Sequence, residues 1–217
     1  MWHVARLLNE PCELGLILIE GAHRLTISSQ LIHVVTIAKP RKLGRGPDLA
    51  FIRIPWEKAL QIKPYKSFYD LTATREEMLS KPPRRDASVW FVCGIPDEFT
   101  TDDPGEAGFY RTKSFHGLCG AGGANRVYRR CRYDYVDSVV QYADDKDLPS
   151  TFGGISGGGL WQVTYSGAPP KVLPQRYLLA GIPFAQTPIK AGLRSIRCHG
   201  WRSIYDKSYK EINKACS

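Results

Sequence analysis

One serine stands among five glycines in the segment FGGISGGGLW (152–161), just before an apolar run. A serine hydroxyl is a poor nucleophile at neutral pH, so it needs a base to take its proton and donors to hold the oxyanion that forms. Glycines let a backbone turn tightly enough to aim two N–H groups at one point beside such a hydroxyl. The segment therefore predicts a nucleophilic Ser156, with a flexible Gly-rich turn into a strand as the alternative interpretation.

A base for this serine would have to come from one of five histidines. His23 precedes a predicted strand, and His33 lies inside one. His116 and His199 are predicted to lie in glycine-containing loops, and His3 comes almost at the start of the chain. A single histidine in any of these places is usually structural, so the histidines alone do not identify the base.

The strongest candidate for an acid that orients the base is Asp48, in GRGPDLAFIRIP (44–55). Pro47 stiffens the approach, and the apolar run that follows would hold the carboxylate at the mouth of a buried strand. Such a carboxylate can fix the tautomer of a neighbouring histidine and stabilise its charged form. The alternative is an aspartate that forms a turn after Gly-Pro, which this segment taken alone favours.

Short apolar runs, rich in Val, Ile, Tyr and Thr and separated by Gly, Pro and Asp, dominate the chain. This composition is typical of strands, and many short strands in succession predict an all-β sandwich or barrel. The runs predicted to form strands are 13–20, 24–38, 49–55, 88–96, 125–140, 160–166 and 175–186.

Helical patterns are few. Residues 56–62 and 72–81 predict two short helices, the second of which opens with threonine and carries glutamate in its early turns. The segment 203–216 predicts a C-terminal helix whose apolar residues recur at helical spacing. Its predicted apolar face consists of Tyr205, Tyr209, Ile212 and Cys216.

The composition argues against several classes of site. The net charge is +9, but the positive residues are scattered, which favours solvated surfaces over a dedicated polyanion site. None of the six cysteines forms a CxxC pair, so we expect no structural zinc, and no ligand cluster or phosphate-binding loop predicts a metal or an organic cofactor. The segment GLILIEGAH (15–23) is too short to cross a membrane, and no secretory signal is recognised. We expect a cytoplasmic chain without a membrane partner.

Three segments together resemble the chymotrypsin-like (trypsin-fold) serine peptidases, of the bacterial trypsin-like type: GISGGGLW (154–161), PDLAFIRIP (47–55) and LLAGIPFA (178–185). In that family a Gly-x-Ser-Gly-Gly segment carries the nucleophile, an Asp-Leu-Ala-like segment opening a strand carries the acid, and a later Gly-Ile strand lines the substrate cleft. The histidine comes first in the family, as His3 does here. The intervals of 45 residues from histidine to acid and 108 from acid to serine are also similar.

The resemblance implies a serine endopeptidase that hydrolyses peptide bonds through an acyl-enzyme intermediate. Ser156 would be the nucleophile, His3 the general base and later the acid for the leaving amine, and Asp48 the residue that orients His3. The backbone N–H groups of Gly154 and Ser156 would form the oxyanion hole. The implied partner is a protein or peptide substrate, and no cofactor is implied.

The same matching implies a pocket for the substrate side chain that precedes the scissile bond. The residues expected to border this pocket are Ser150, Thr151, Phe184, Ala185 and Gln186. Because Ser150 stands where trypsin-like enzymes carry an aspartate, no preference for arginine or lysine is expected. Ile155 stands where secreted members carry the aspartate that pairs with a newly cut N-terminus, so activation by N-terminal cleavage is not expected.

The fold implied by the resemblance is two antiparallel six-stranded Greek-key β-barrels and a short C-terminal helix. Residues 1–83 would form the first barrel and 84–217 the second, with the boundary in KPPRRDAS (81–88), where prolines and charges interrupt the apolar pattern. Family members have about two strands before the histidine. We therefore expect the first barrel to be incomplete, or the natural chain to begin earlier.

Other functions remain open. The first is a trypsin-fold domain that uses the same cleft for binding without catalysis. The second is a basic nucleic-acid-binding module on RVYRRCRYDYV (126–136), where Arg and Tyr interleave; strand patterning also explains this segment, so nucleic acid is disfavoured. An α/β-hydrolase needs the order serine, acid, histidine and a helix after the serine. His199 does follow Ser156, but GGGLWQVTYS (157–166) predicts a strand. The oligomeric state is not predicted.

Overall fold

The chain is mostly β, with 45% of it in strands, as the apolar runs predict. The fold comes from a computed structural model. The residues it describes are 2–19, 23–42, 44–81, 83, 89–102, 110–112, 115–121, 124–141, 148–167, 171 and 173–216. Among these residues, no helix is long and apolar enough to cross a membrane.

The N-terminal region consists of two separate antiparallel hairpins preceded by a short helix. β1 pairs with β2, and β3 pairs with β4, in two two-stranded sheets. The predicted run 24–38 is divided between two strands because a 3₁₀ turn at Ser29–Leu31 interrupts it. The elements are α1 (Trp2–Ala5), a 3₁₀ turn (Arg6–Asn9), β1 (Glu13–Ile19), β2 (His23–Ser28), β3 (His33–Ala38) and β4 (Leu49–Arg53).

Two helices, α2 (Trp56–Ile62) and α3 (Leu71–Ser80), follow these hairpins, as predicted. The start of α3 is capped by the Asp70 carboxylate, which accepts hydrogen bonds from the N–H groups of Thr72 (2.8 Å) and Ala73 (3.2 Å). The predicted domain boundary in 81–88 lies mostly outside the described residues, so the division into 1–83 and 84–217 stays a prediction.

A seven-stranded antiparallel sheet forms the rest of the molecule, in the order β8-β5-β11-β12-β13-β10-β9. A separate pair, β6 (Thr100–Asp102) and β7 (Tyr110–Thr112), forms a small two-stranded sheet. The strands of the large sheet are β5 (Val89–Gly94), β8 (Phe115–Ala121), β9 (Ala124–Arg130), β10 (Tyr133–Gln141), β11 (Gly159–Ser166), β12 (Leu173–Gln186) and β13 (Leu193–Gly200).

Strand β13 was not among the predicted runs. In LRSIRCHG the hydrophobic Ile196 and Cys198 alternate with charged and polar residues, so no continuous apolar run marks the strand. The predicted placement of His116 and His199 in loops is wrong, because they lie in β8 and β13. The glycine after His199 instead marks the close pairing of Gly200 with Gly181 of β12.

The C-terminal residues are helical, as predicted, but not in one uniform helix. A π-helical segment, Ser203–Ser208, leads into α4 (Tyr209–Cys216). Its wider turns change the angular spacing of the side chains, so the predicted apolar face is only partly buried. Tyr205 is fully buried, whereas Tyr209 and Ile212 are half-buried.

The start of this helical segment is held by Asp134, a buried residue of β10. Its carboxylate accepts hydrogen bonds from the N–H groups of Arg202 (3.0 Å) and Ser203 (2.6 Å) and from the Ser203 hydroxyl (2.6 Å). The first N–H groups of a helix have no acceptor within the helix. Here Asp134, which is distant in sequence, accepts their hydrogen bonds and caps the helix. The main hydrophobic core lies between the large sheet, α3 and this helix, and includes Met78, Trp90, Val92, Val136, Leu160, Ile196, Ile204 and Tyr205.

The described residues do not show the two closed six-stranded barrels that the resemblance implies. Within the described residues no barrel is closed: the first half contains two separate hairpins, and the second contains one open ladder of seven strands. The architecture is therefore a mostly β chain with a large antiparallel sheet and a short C-terminal helix.

Candidate active site

His3 and Asp48 are in direct contact although 45 residues separate them. The buried Asp48 carboxylate accepts a hydrogen bond from the His3 backbone N–H (3.1 Å) and contacts the ring atom Nδ1 of the same residue. An ionised carboxylate can only accept, so Nδ1 is the donor in this contact. The His3 side chain is 25% exposed, so part of it reaches solvent while Nδ1 contacts Asp48.

His199 of β13 holds the backbone of Asp48. The Asp48 N–H lies 3.1 Å from His199 Nε2, and the Asp48 carbonyl lies 3.0 Å from the same atom. The His199 ring is fully buried and stacks on Phe184, with ring centroids 4.5 Å apart, and packs against Tyr135 at 5.3 Å. Sequence reasoning missed this role, because the contact joins residues 151 apart and no local signal reports it.

The two buried groups have displaced pKa values of different origin. Burial lowers the pKa of His199 to about 4, so its imidazole is neutral at physiological pH. For Asp48, burial raises the pKa, but nearby positive charge and the hydrogen bonds from His3 outweigh it, and the pKa lies below its ordinary value. At neutral pH, His199 is therefore uncharged, whereas the Asp48 carboxylate that contacts His3 is ionised.

The segment before Asp48 is fixed against β10 and β13 by Arg197. The Arg197 guanidinium pairs with Asp137 (Nε to Oδ1, 3.0 Å) and donates to the Gly44 carbonyl (3.3 Å). Gly46 has φ +60°, and a Cβ there would lie 2.8 Å from the Tyr135 ring and 3.2 Å from that of Phe184. Only glycine fits this close approach, which brings the backbone leading to Asp48 onto the aromatic cluster.

Ser156 lies in a tight turn built on glycines with positive φ, Gly154 (+87°) and Gly157 (+96°). The turn is closed by the Gly158 N–H, which donates to the Ile155 carbonyl (2.9 Å). Ile155 is buried and anchors the turn in the core, while Ser156 is half-buried. The sequence prediction of a tight, glycine-dependent turn leading into a strand therefore agrees with the structure.

The peptide groups of this turn are oriented by their neighbours. The Gly153 carbonyl accepts a hydrogen bond from the Asp97 N–H (2.8 Å). Carbonyl and N–H point in opposite directions across a trans peptide, so the Gly154 N–H points away from Asp97. Within the described residues, neither the Gly154 nor the Ser156 N–H donates a backbone hydrogen bond. The assignment of these two N–H groups to an oxyanion hole stays a prediction.

A cavity of about 150 Å³ opens beside Ser156. Among the predicted substrate-binding residues, Phe184, Ala185 and Gln186 line it. Thr151 accepts a hydrogen bond from the Gln186 side chain (2.6 Å), and neither Thr151 nor Ser150 is among the described lining residues. The described residues that line it are Phe152, Gly153, Ile155, Ser156, Pro183, Phe184, Ala185 and Gln186.

Strand β12 links the acid–base pair to the serine turn indirectly. Phe184 lines the cavity beside Ser156, and its ring also stacks on His199, which bonds Asp48. On the serine side, the Gly157 N–H donates to the Pro183 carbonyl (3.2 Å). A single extended stretch of β12 thus contacts both the predicted nucleophile turn and the support of the predicted acid.

Two other features are weaker candidates. A larger hollow of about 490 Å³ is lined mainly by aromatic side chains, and no histidine or carboxylate is found among its described lining residues. The basic segment 126–136 forms the β9–β10 hairpin, where the Arg126 guanidinium lies 4.8 Å above the Tyr128 ring. Intrastrand packing thus explains part of the Arg–Tyr interleaving. Searching the described residues reveals no cluster of three or more potential metal ligands.

No known family, curated protein or solved structure matches this chain.

Proposed function

We propose that the chain is a serine endopeptidase with the triad His3, Asp48 and Ser156. The observation that carries the proposal is the double contact of the buried Asp48 carboxylate with the backbone N–H and the ring Nδ1 of His3. A turn-forming aspartate would be expected to bond its own neighbours, whereas this one is buried and engages a histidine 45 residues away. The arrangement is the one a general base needs to keep its second nitrogen as an acceptor.

In the proposed reaction, Ser156 Oγ attacks the carbonyl carbon of the scissile peptide bond and its proton passes to His3 Nε2. Asp48 stabilises the imidazolium without itself taking the proton. The N–H groups of Gly154 and Ser156 donate to the oxyanion of the tetrahedral intermediate.

Collapse of that intermediate breaks the C–N bond as His3 returns the proton to the leaving amine. This leaves an acyl ester on Ser156. Water then attacks the ester with His3 again acting as base, and the second collapse releases the carboxylic acid and regenerates the hydroxyl.

We further propose that the large sheet is the second barrel of a trypsin fold. Its two outer strands, β8 and β9, follow each other in the chain and are separated only by residues 122 and 123. If β8 and β9 together occupy one strand position, the ladder β5-β11-β12-β13-β10 closes through them into a six-stranded Greek key. The hairpins β1–β2 and β3–β4 would be the corresponding part of the first barrel.

The experiment is covalent labelling with a fluorophosphonate, which reacts with activated serines. We expect one label, located at Ser156 by mass spectrometry. Ser156→Ala should abolish it, while Ser80→Ala, which removes an exposed serine of α3, should not. Absence of labelling on protein that circular dichroism shows to be folded would overturn the enzyme and favour a binding domain that uses the same cleft.

A further inference from the structure

The cavity beside Ser156 lies between two stretches of chain that are joined at both ends. Near the serine, the Gly157 N–H donates to the Pro183 carbonyl (3.2 Å). At the far end, the side chain of Gln186 crosses the gap. Three extended residue steps separate Pro183 from Gln186, which is about 10 Å. The Gln186 amide therefore limits the depth of the cavity.

The crossing amide is bonded at both of its polar atoms. Gln186 Oε1 accepts from the Phe152 N–H (2.8 Å), and Nε2 donates to Thr151 Oγ1 (2.6 Å). A backbone N–H can only donate, so the orientation of the amide is fixed by its partner. Swinging the side chain out to lengthen the cavity would break both bonds, which costs stability.

Charged groups lie behind this wall rather than inside the cavity. The Glu98 carboxylate accepts from the Ser150 hydroxyl (2.8 Å) and the Thr151 N–H (2.7 Å). The Arg194 guanidinium donates to the Ser150 carbonyl (2.6 Å). None of the described residues that line the cavity is ionisable under ordinary conditions. A charged substrate side chain would therefore be buried without a counter-charge, which is strongly unfavourable.

The volume of the cavity sets a second limit on the substrate side chain. A dry cavity of about 150 Å³ is filled by one benzene molecule, and the cavity beside Ser156 has about this volume. A phenylalanine side chain adds a methylene group to that ring, and an arginine side chain is longer still. Alanine, valine and threonine side chains are short enough to fit.

We propose that this endopeptidase cleaves after short, uncharged residues and that Gln186 sets the length of side chain accepted. The inference rests on the proposed function, since it concerns the substrate of the same site. It makes Gln186 a specificity-determining residue rather than a catalytic one.

The test uses peptidyl diphenyl phosphonates that differ only in the residue preceding the reactive phosphorus: alanine, valine, phenylalanine, arginine or glutamate. The rate of Ser156 labelling by each is divided by the rate with a simple fluorophosphonate, which carries no such residue. We expect the alanine and valine compounds to react at least tenfold faster than the other three. Faster reaction of the arginine or glutamate compound would overturn the proposal.

Gln186→Ala should lengthen the cavity and raise the phenylalanine-to-alanine rate ratio at least tenfold. The matched control is Gln175→Ala, which removes an exposed glutamine from the same strand and should leave the ratio unchanged. An unchanged ratio in Gln186→Ala, with normal fluorophosphonate labelling, would overturn the role of Gln186 but not the enzyme. Failure of the simple fluorophosphonate to label Ser156 would overturn the proposed function and this inference with it.

Discussion

The predicted acid and base lie in a very different setting from the predicted nucleophile. His3 and Asp48 belong to the region of two-stranded hairpins, where few side chains are fully buried. Ser156 lies in the turn that leads into β11 of the seven-stranded sheet, and this turn is anchored by the buried Ile155 and a backbone bond to β12. The nucleophile turn is thus held by its own part of the molecule, whereas the acid depends on the other part.

The acid depends on the large sheet through particular contacts. His199 bonds the backbone of Asp48, and Arg197 bonds the Gly44 carbonyl, both from β13. Phe184 adds the aromatic surface on which the segment before the acid packs. A weakly packed region can therefore present a well-oriented carboxylate, because the large sheet supplies the residues that orient it.

The largest effect is expected for Asp48→Asn, which removes the charge that holds His3. An amide can donate to Nδ1 and favour the wrong tautomer, so kcat should fall about 10⁴-fold. Steady-state hydrolysis of a peptide with alanine before the scissile bond measures the fall, and circular dichroism checks the fold. Full activity of Asp48→Asn would show that the acid has been misassigned.

The second-largest effect is expected for Gly154→Ala, in the turn that contains Ser156. Gly154 has φ +87°, and a Cβ there would lie 2.7 Å from both the Asp97 N and the Ile95 carbonyl oxygen, so the turn must shift. Displacing one oxyanion donor should lower kcat roughly 10²- to 10³-fold. Gly15→Ala is the control, because no atom lies within 4 Å of a Cβ there. Equal activities of the two variants would argue against this oxyanion hole.

The third prediction concerns the support of the acid. The pKa of His199 is about 4 in the folded state, against about 6.5 when unfolded. Between these values the unfolded chain binds one more proton, so stability falls as the pH falls from about 6.5 to 4, by on the order of 3 kcal/mol. His199→Gln has no such titration, and its unfolding free energy should be flatter across that range.

Urea denaturation at several pH values measures this difference. Asp48, whose pKa is below its ordinary value, contributes a loss of stability at lower pH in both proteins, because protonation removes its interaction with His3. The informative quantity is therefore the difference between wild type and His199→Gln. Parallel curves for the two proteins would mean that His199 is not buried and neutral.

The smallest effect is expected where the sheet holds the C-terminal helix. Asp134→Ala removes the acceptor for the Arg202 and Ser203 N–H groups and should cost about 0.5–2 kcal/mol of unfolding free energy. Asp134→Asn keeps an acceptor oxygen and should cost less. Fluorophosphonate labelling of Ser156 should be unchanged in both. A loss of Ser156 labelling in either variant would show that the C-terminal helix supports the serine turn. The turn would then depend on more than the contacts with the core and β12 described above.

The sequence predicts the elements better than their arrangement. Runs such as 13–20 and 160–166 are continuous and apolar, so the strands are recognised, but β13 is not, because arginine and serine dilute its pattern. Local patterns also do not report which strands pair. The contact of His3 with Asp48 follows from a resemblance in motif order, not from periodicity or composition. The role of His199 depends on a partner 151 residues away, which a single sequence does not reveal.

The close approach at Gly46 has a consequence for how the chain can vary. Every side chain larger than hydrogen at that position collides with the Tyr135 ring, whereas Gly15 can accept almost any residue without a clash. In a library selected only for folded protein, we would therefore expect position 46 to remain glycine and position 15 to diversify. Intolerance to substitution at position 46, 110 residues before the serine, would then mark the acid side of the cleft without any assay of catalysis.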